Sequence, residues 1–419
     1  MSKKNRPLHA AISDSHKHHQ SKVVCARASA QRSPIGQSKI SSSVSCTPLE
    51  LHRLKMSIFT RKSSKQESAS EKEKKRSIAM DDPEWKSILE INSEVLKVWR
   101  LPDKGPAIPL PEDQVGFFMN DEKYVVLKTS NHNRKLVYDL HFWIGLTAAQ
   151  KVSSDPPEKV AQVMALLDDN VVLHREIGEF ESPLFKSYFK ELGVLSGNVG
   201  SLFDPENPQK YQKRLLRFAL TRNKTRMEVT EVPISRHSLN SNDVFIFDEG
   251  IRMTQWNGAR CDNEERLAAR KYIEKSLKLR KTKCTSEFVD EEDLLENNEL
   301  YTKLGNAAVP SRPVRLLKSK FRKSMHRLSD DSKKLTLSHV YTDKVYRSGI
   351  NPNDVTFVDT LHELFVYIGP GANDNERGSV WTQADKYLKE SNMPYKSIAV
   401  FNAGCYCDGF EEIWDDLQH

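Results

Sequence analysis

The chain has no run of 18 apolar residues, so no membrane-spanning helix is expected. Its basic N-terminus is not followed by a contiguous apolar segment of the kind that opens a secretory leader. The six cysteines (Cys25, Cys46, Cys261, Cys284, Cys405 and Cys407) make no CxxC pair and no disulfide-framework spacing, which suits a reducing cytoplasm. GxSxG, a Walker loop, a dinucleotide-binding GxGxxG and HExxH are all missing. No catalytic constellation emerges, and the expectation is a cytoplasmic protein that acts by binding and is not an enzyme.

Acidic residues are also scarce at one end. Residues 1–80 carry 17 Lys/Arg against 5 Asp/Glu, a balance of +12, whereas the remainder of the 419-residue chain balances at −5. The overall excess of +7 therefore belongs to the tail, and no nucleic-acid partner is expected for the rest. The tail is poor in apolar and aromatic residues and lacks periodicity, so it cannot bury enough surface to offset its ordering entropy. Residues 1–84 are predicted to be a disordered basic tail.

From Trp85 onward a unit repeats. One copy has the strand NDVFIFD (242–248), a short strand ending at Trp256 and Gly258, and the helix DNEERLAARKYIEKSLKL (262–279). Another has NDVTFVD (353–359), LFVYIG ending at Gly369, and NDNERGSVWTQADKYLKE (373–390). Asp243 to Gly258 and Asp354 to Gly369 both span 15 residues, and Asp243 to Glu265 and Asp354 to Glu376 both span 22. A longer variant precedes them: KYVVLKT (123–129), LVYDLHFWIG (136–145), EKVAQVMALLDD (158–169) and VVLHREIG, closed by ESPLFKSYF (181–189). NNELYTKLG (297–305) and DGFEEIWDD (408–416) close the other two. Strands apolar on both sides call for a helix on each face. The expected fold is α+β, three small mixed sheets each between a long and a short helix. The expected boundaries are 85–195, 206–305 and 333–419, with a basic linker over 306–332.

VWRLP (98–102), YVVLKT, YDLHFWIG, LLDD, HREIGEFESPLFKSYF and EVPISRHSLNSNDVFIFDEG together resemble the gelsolin/villin superfamily. The likeness runs from about Trp85 to the C-terminus, and three repeats resemble its severin/fragmin/capping-protein members. It implies a cytoplasmic, cytoskeletal, calcium-dependent protein that severs actin filaments and caps their barbed ends under phosphoinositide control, binding actin as monomer and at the filament end. Rival expectations are capping or monomer sequestering without severing, and a phosphoinositide-binding scaffold at the membrane surface.

Calcium takes six to eight hard oxygen ligands in flexible geometry. A carboxylate at a strand start and another from the facing helix supply several, which points to Asp243 with Glu265 and Asp354 with Glu376. The resemblance implies the same intra-repeat sites and uses the carbonyl of the preceding residue, here Asn242 and Asn353. In the first unit Glu122 or Asp121 falls at the strand position, and after Gly145 only Glu158 or Asp155 could replace the helix acid. Asp168 opens the LDD motif, where the resemblance implies an ion shared with actin.

The resemblance also places the first unit's long helix in the actin cleft, through Val160, Gln162, Val163, Leu166, Asp168 and Asp169, with the apolar plug position at Gln162 or Val163. Lys210, Lys213, Arg214, Arg217, Arg222, Lys224 and Arg226 form a basic cluster suited to filament sides and inositol phosphates. Over 314–328, Leu317, Phe321, Met325 and Leu328 fall on one helical face among basic residues, the pattern of a membrane-surface or calmodulin-like-partner segment.

Overall fold

A computed structural model describes residues 76–77, 79, 82–150, 156–167, 170–280, 283–309 and 321–416. All of these belong to one compact body. No described helix is long and apolar enough to cross a membrane.

The first unit comprises α1 (Pro83–Lys86), β1 (Leu96–Arg100), β2 (Ile108–Pro109), β3 (Phe117–Met119), β4 (Lys123–His132), β5 (Lys135–Ile144), α2 (Leu146–Ala149), α3 (Glu158–Leu166), β6 (Val171–Ile177), α4 (Pro183–Ser187) and β7 (Glu191–Leu195). β4 and β5 are ten residues each, rich in β-branched and aromatic residues. Asn133 and Arg134, both at positive φ, turn one into the other, as a two-residue hairpin of right-handed twist requires. The second unit has β8 (Arg214–Leu220), β9 (Met227–Val232), β10 (Val244–Asp248), β11 (Arg252–Asn257), α5 (Asn263–Arg280), β12 (Thr285–Asp290) and α6 (Glu299–Leu304). The third has β13 (Ser324–Ser329), β14 (Thr336–Thr342), β15 (Val355–Asp359), β16 (Glu363–Ile368), α7 (Asp374–Glu390), β17 (Ser397–Asn402) and α8 (Asp408–Glu411).

Each unit has a core on both faces of its strands. α3 packs Val160, Val163 and Leu166 on one face of the first unit, while Phe185 of α4 and the following Phe189 fill the other. α5 contributes Ala269 and Ile273, and α6 Leu300 and Leu304. α7 contributes Val380, Ala384 and Leu388, and α8 Phe410. The expected sandwich of a mixed sheet between a long and a short helix is present three times.

The sheets do not stay separate. One ten-stranded sheet runs β14-β13-β15-β16-β17-β6-β5-β4-β1-β2, and a seven-stranded sheet runs β12-β11-β10-β8-β9-β7-β3. β6 and β17 join the first and third units antiparallel, pairing Leu173 with Val400, His174 with Ala399 and Arg175 with Ile398. β7 of the first unit runs parallel to β9 of the second. An edge strand presents unpaired N–H and C=O groups, and here the neighbouring unit satisfies them.

Two expected boundaries are corrected. Ala79 and Trp85 are fully buried in the first core, and Asp82 caps α1 by accepting from the Glu84 N–H at 3.0 Å, so folded structure begins inside the segment expected to be disordered. Residues 324–328, placed within the expected linker and sharing the basic amphipathic pattern that starts at 314, lie in β13. An apolar spacing of three suits one helical face, but in a strand it sends the two side chains to opposite faces. Met325 accordingly joins the core under α8 and Leu328 the core under α7. Residues 314–320 lie outside the described residues.

Candidate metal centres and partner surfaces

One backbone hydrogen bond recurs in every unit. The Gly258 N–H donates to the Asp243 carbonyl at 3.1 Å, that of Gly369 to Asp354 at 3.0 Å, and that of Gly145 to Glu122 at 3.0 Å. A Cβ at Gly258 or Gly369 would stand 2.8 or 2.6 Å from the same carbonyl oxygen, so only glycine permits the approach. Glu122, and not the exposed Asp121, is therefore the first unit's counterpart of Asp243 and Asp354.

The helix acids are held alike. Glu265, in the first turn of α5, accepts the Leu220 N–H at 2.7 Å and the Asp262 N–H at 3.0 Å. Glu376, in the first turn of α7, accepts the Asp330 N–H at 3.1 Å and the Asn373 N–H at 3.0 Å. Asp243, Glu265, Asp354 and Glu376 are all buried. Burial pushes the Glu265 carboxyl up from its ordinary range, and the Asp243 charge adds to that. One buried acid from the strand and one from the helix in each of these units, with oxygen the only donor type, fit a hard divalent cation such as calcium. Asn242 and Asn353, whose carbonyls the resemblance assigns to the ion, are exposed. In the first unit α2 carries no acid, Glu158 is exposed at the start of α3, and Asp155, Asp168 and Asp169 lie outside the described residues.

An arginine faces each strand acid. Arg217 Nε lies 2.6 Å from Asp243 Oδ2, Arg327 Nε 3.7 Å from Asp354 Oδ2, and Arg100 Nη1 3.5 Å from Glu122 Oε2. The three arginines are register equivalents, each paired across strands with the residue two beyond its acid: Arg217 with Phe245, Arg327 with Thr356, Arg100 with Tyr124. Asparagines three residues before the acids also recur. Asn240 Nδ2 donates to Asp243 Oδ2 at 2.6 Å, and Asn351 makes the same bond to Asp354. Sequence reasoning passed over Asn240, Asn351, Arg100 and Arg327. The doubled N-x-N-D string was the available signal for the asparagines, but the arginines become visible only through the strand register.

The expected actin-facing side chains point inward. Val160, Val163 and Leu166 belong to the first core, and Gln162 is 9% exposed. Residues 82–90 cover them: Trp85 Nε1 donates to Gln162 Oε1 at 3.2 Å, and Lys159 pairs with Asp82 at 3.1 Å. Trp381 of α7 packs on the same core, edge to face with Phe142. The periodicity of α3 accommodates both readings, since an apolar stripe does not say whether its cover is the protein's own chain or a partner.

The basic cluster also divides. Arg214 is buried, bonded to Glu231 at 2.6 Å and to the Ser196 and Ser201 carbonyls. Arg217 is held by Asp243, and Arg226 donates to Glu228 at 2.8 Å. Arg222 and Lys224 are exposed at the β8–β9 turn, with Lys224 reaching Asp262, while Lys210 is exposed and Lys213 pairs with Glu249. β8 is an interior strand, so alternation sends its basic side chains to different faces and not to one continuous patch.

A buried polar joint lies where the first and third units meet. His141 and His174 stack with centroids 4.1 Å apart, and their ligand atoms lie within 4.8 Å of those of Glu176. Every ring nitrogen is already engaged. His141 meets Glu176 and Tyr188, each at 3.1 Å, and His174 meets Glu363 at 3.3 Å and Asp139 at 3.0 Å. Parallel rings share no in-plane direction toward one ion, so the cluster reads as an interlock between units. Arg175 strengthens it, donating to the Pro394 and Lys396 carbonyls at 3.1 and 3.0 Å.

Comparison with known proteins matches this arrangement to a family. The Gelsolin repeat family matches residues 225–293. Severin of Echinococcus granulosus is 32% identical over 361 residues, covering 83% of this chain and 94% of that protein. Gelsolin-like protein 1 of Lumbricus terrestris is 31% identical over 348 residues, covering 82% of this chain and 92% of its own length. Gelsolin of Gallus gallus is 28% identical over 311 residues, 71% of this chain and 39% of that protein.

Proposed function

The chain belongs to the gelsolin family, and on that premise we propose that it severs actin filaments and caps their barbed ends, with calcium as the activating ion. The observation that carries the reading is the near-complete span of severin at 32% identity, with all three repeats present in the fold. Calcium would bind Asp243 with Glu265 and Asp354 with Glu376, the fit being the buried all-oxygen donor pairs. Through its charge it would relieve the repulsion between paired carboxylates.

The same helix supports a link from ion to actin. α7 carries Glu376 in its first turn and Trp381 further along, and Trp381 covers the first core beside α3. An ion that repositions α7 would uncover Val160, Gln162, Val163 and Leu166 for the actin cleft. Gln162, one of the two residues at which the plug position falls, is hydrogen-bonded to Trp85 and favours a second reading in which the protein caps without severing. Arg222, Lys224, Lys210 and Lys213 would take acidic phosphoinositides or the filament side, and cytoplasm with the cytoskeleton is the corresponding location.

Fluorescence microscopy of single actin filaments, with calcium and with chelator, tests both readings. Breaks along filaments are the expected result, stalled barbed ends without breaks would favour capping alone, and unchanged filaments would overturn both.

A further inference from the structure

We infer that Arg217 and Arg327 are built-in counter-cations that calcium must displace, and that they set the order in which the two sites fill, the third unit before the second. The inference rests on the calcium reading given above and concerns how those sites are tuned. Its basis is a recurrence: a guanidinium reaches the strand acid from the same cross-strand register in every unit. Loose surface pairs are not so regular, because two long side chains rarely hold one geometry in water.

The guanidinium and the ion compete for the same carboxylate. Asp243 Oδ2 accepts from Arg217 Nε and from Asn240 Nδ2, both at 2.6 Å. An ion entering between Asp243 and Glu265 draws on that same carboxylate, and a cation held there is repelled by a guanidinium 2.6 Å from one of its oxygens. In the third unit Arg327 stands back at 3.7 Å, leaving Asp354 held mainly by the neutral Asn351 amide. Calcium therefore displaces a tight charged pair in the second unit and a looser one in the third.

Release is feasible in both places. The Arg217 and Arg327 side chains are 36% and 43% exposed, so each can swing into water without leaving a buried charge. The acids they leave are buried, and the ion takes over their neutralisation. Calcium binding thereby also frees a guanidinium at the surface of the second unit. The first unit supplies an internal control: Arg100 faces Glu122, but no helix acid stands opposite among the described residues.

The test is calorimetric titration of the full chain with calcium chloride, comparing the unchanged protein with Arg217→Gln, Arg327→Gln, Arg100→Gln and Arg217→Lys, each checked by thermal melting. Arg217→Gln should tighten one site by about fivefold, the scale of one partly exposed ion pair. Arg327→Gln should tighten the other by less, Arg100→Gln should change neither, and Arg217→Lys should stay near the unchanged protein because the cation remains. Unaltered or weaker binding in folded Arg217→Gln and Arg327→Gln, with the unchanged protein still binding two ions, would overturn the inference alone. No calcium uptake by any form would overturn the calcium reading itself.

Discussion

Nδ1 of His174, in the first unit, lies 3.3 Å from Oε1 of Glu363 in the third, while its Nε2 lies 3.0 Å from Asp139. Burial alone would push this imidazole down, but hydrogen bonds to Asp139 and Glu363 outweigh it and push the pKa up to about 10. His141 beside it is pushed well below its ordinary value by burial and by the His174 charge, so one ring is cationic and the other neutral. Burial raises the Glu176 and Glu363 carboxyls, Tyr188 closes the far side of His141, and the Cys407 thiol is pushed up by burial and by Glu363.

A folded-state pKa raised above the ordinary 6.5 gives stability that is full below 6.5 and lost as pH rises through about 10. Thermal melting of the full chain should therefore fall as pH rises from about 6.5 to about 10 and level off above that. Glu363→Gln removes one of the two anions, lowers the His174 pKa, and should make the fall smaller and end it at a lower pH. An identical pH profile for the two proteins would show that the joint does not depend on this pair.

Glu265→Gln and Glu376→Gln should each remove about one bound calcium ion, because a neutral amide supplies neither the charge nor the two oxygens that a carboxylate offers. Both side chains also receive two backbone N–H groups. The amide keeps one acceptor, so a modest loss of melting temperature should accompany the lost ion. Unchanged stoichiometry in the double variant, measured by calorimetry, would count decisively against the assignment.

Trp85 is fully buried, meets Trp99 edge to face at 5.4 Å and hydrogen-bonds Gln162. Trp85→Ala should cost about 3–5 kcal/mol through the cavity it leaves. A chain beginning at Ile91 should suffer a comparable loss, whereas one beginning at Arg76 should melt like the full chain. Denaturant unfolding followed by tryptophan fluorescence separates the two truncations.

Arg214 and Arg222 lie in one basic run but should behave oppositely. Arg214→Ala removes the partner that Glu231 and two carbonyls share and should destabilise by about 1–3 kcal/mol, the range for losing hydrogen bonds to a charged group whose partners are partly exposed. Arg222→Ala with Lys224→Ala should leave melting nearly unchanged and weaken co-sedimentation with phosphoinositide vesicles, most visibly at low salt. Vesicle binding that survives the double substitution would place the lipid surface elsewhere.

The paired acids were legible in the sequence because their geometry is local. Asp243, Gly258 and Glu265 lie along one hairpin and the helix that follows it, so fixed strand and helix lengths place them together, and the same spacing at Asp354, Gly369 and Glu376 doubles the signal. The alternating cores of each unit were legible for the same reason. What only the tertiary structure decided is which surfaces those units spend on one another. His174 meets Ala399 across an edge that hydrophobic pattern does not address to any particular partner. Arg217 finds Asp243 through antiparallel register between strands that are not consecutive in the chain. Val160, Val163 and Leu166 carry the periodicity of an apolar stripe whether residues 82–90, Trp381 or an actin cleft lies over it. Composition and spacing determine that a side chain must leave water, but the choice among equally apolar or equally charged covers depends on shape and register, which arise only when distant segments pack together.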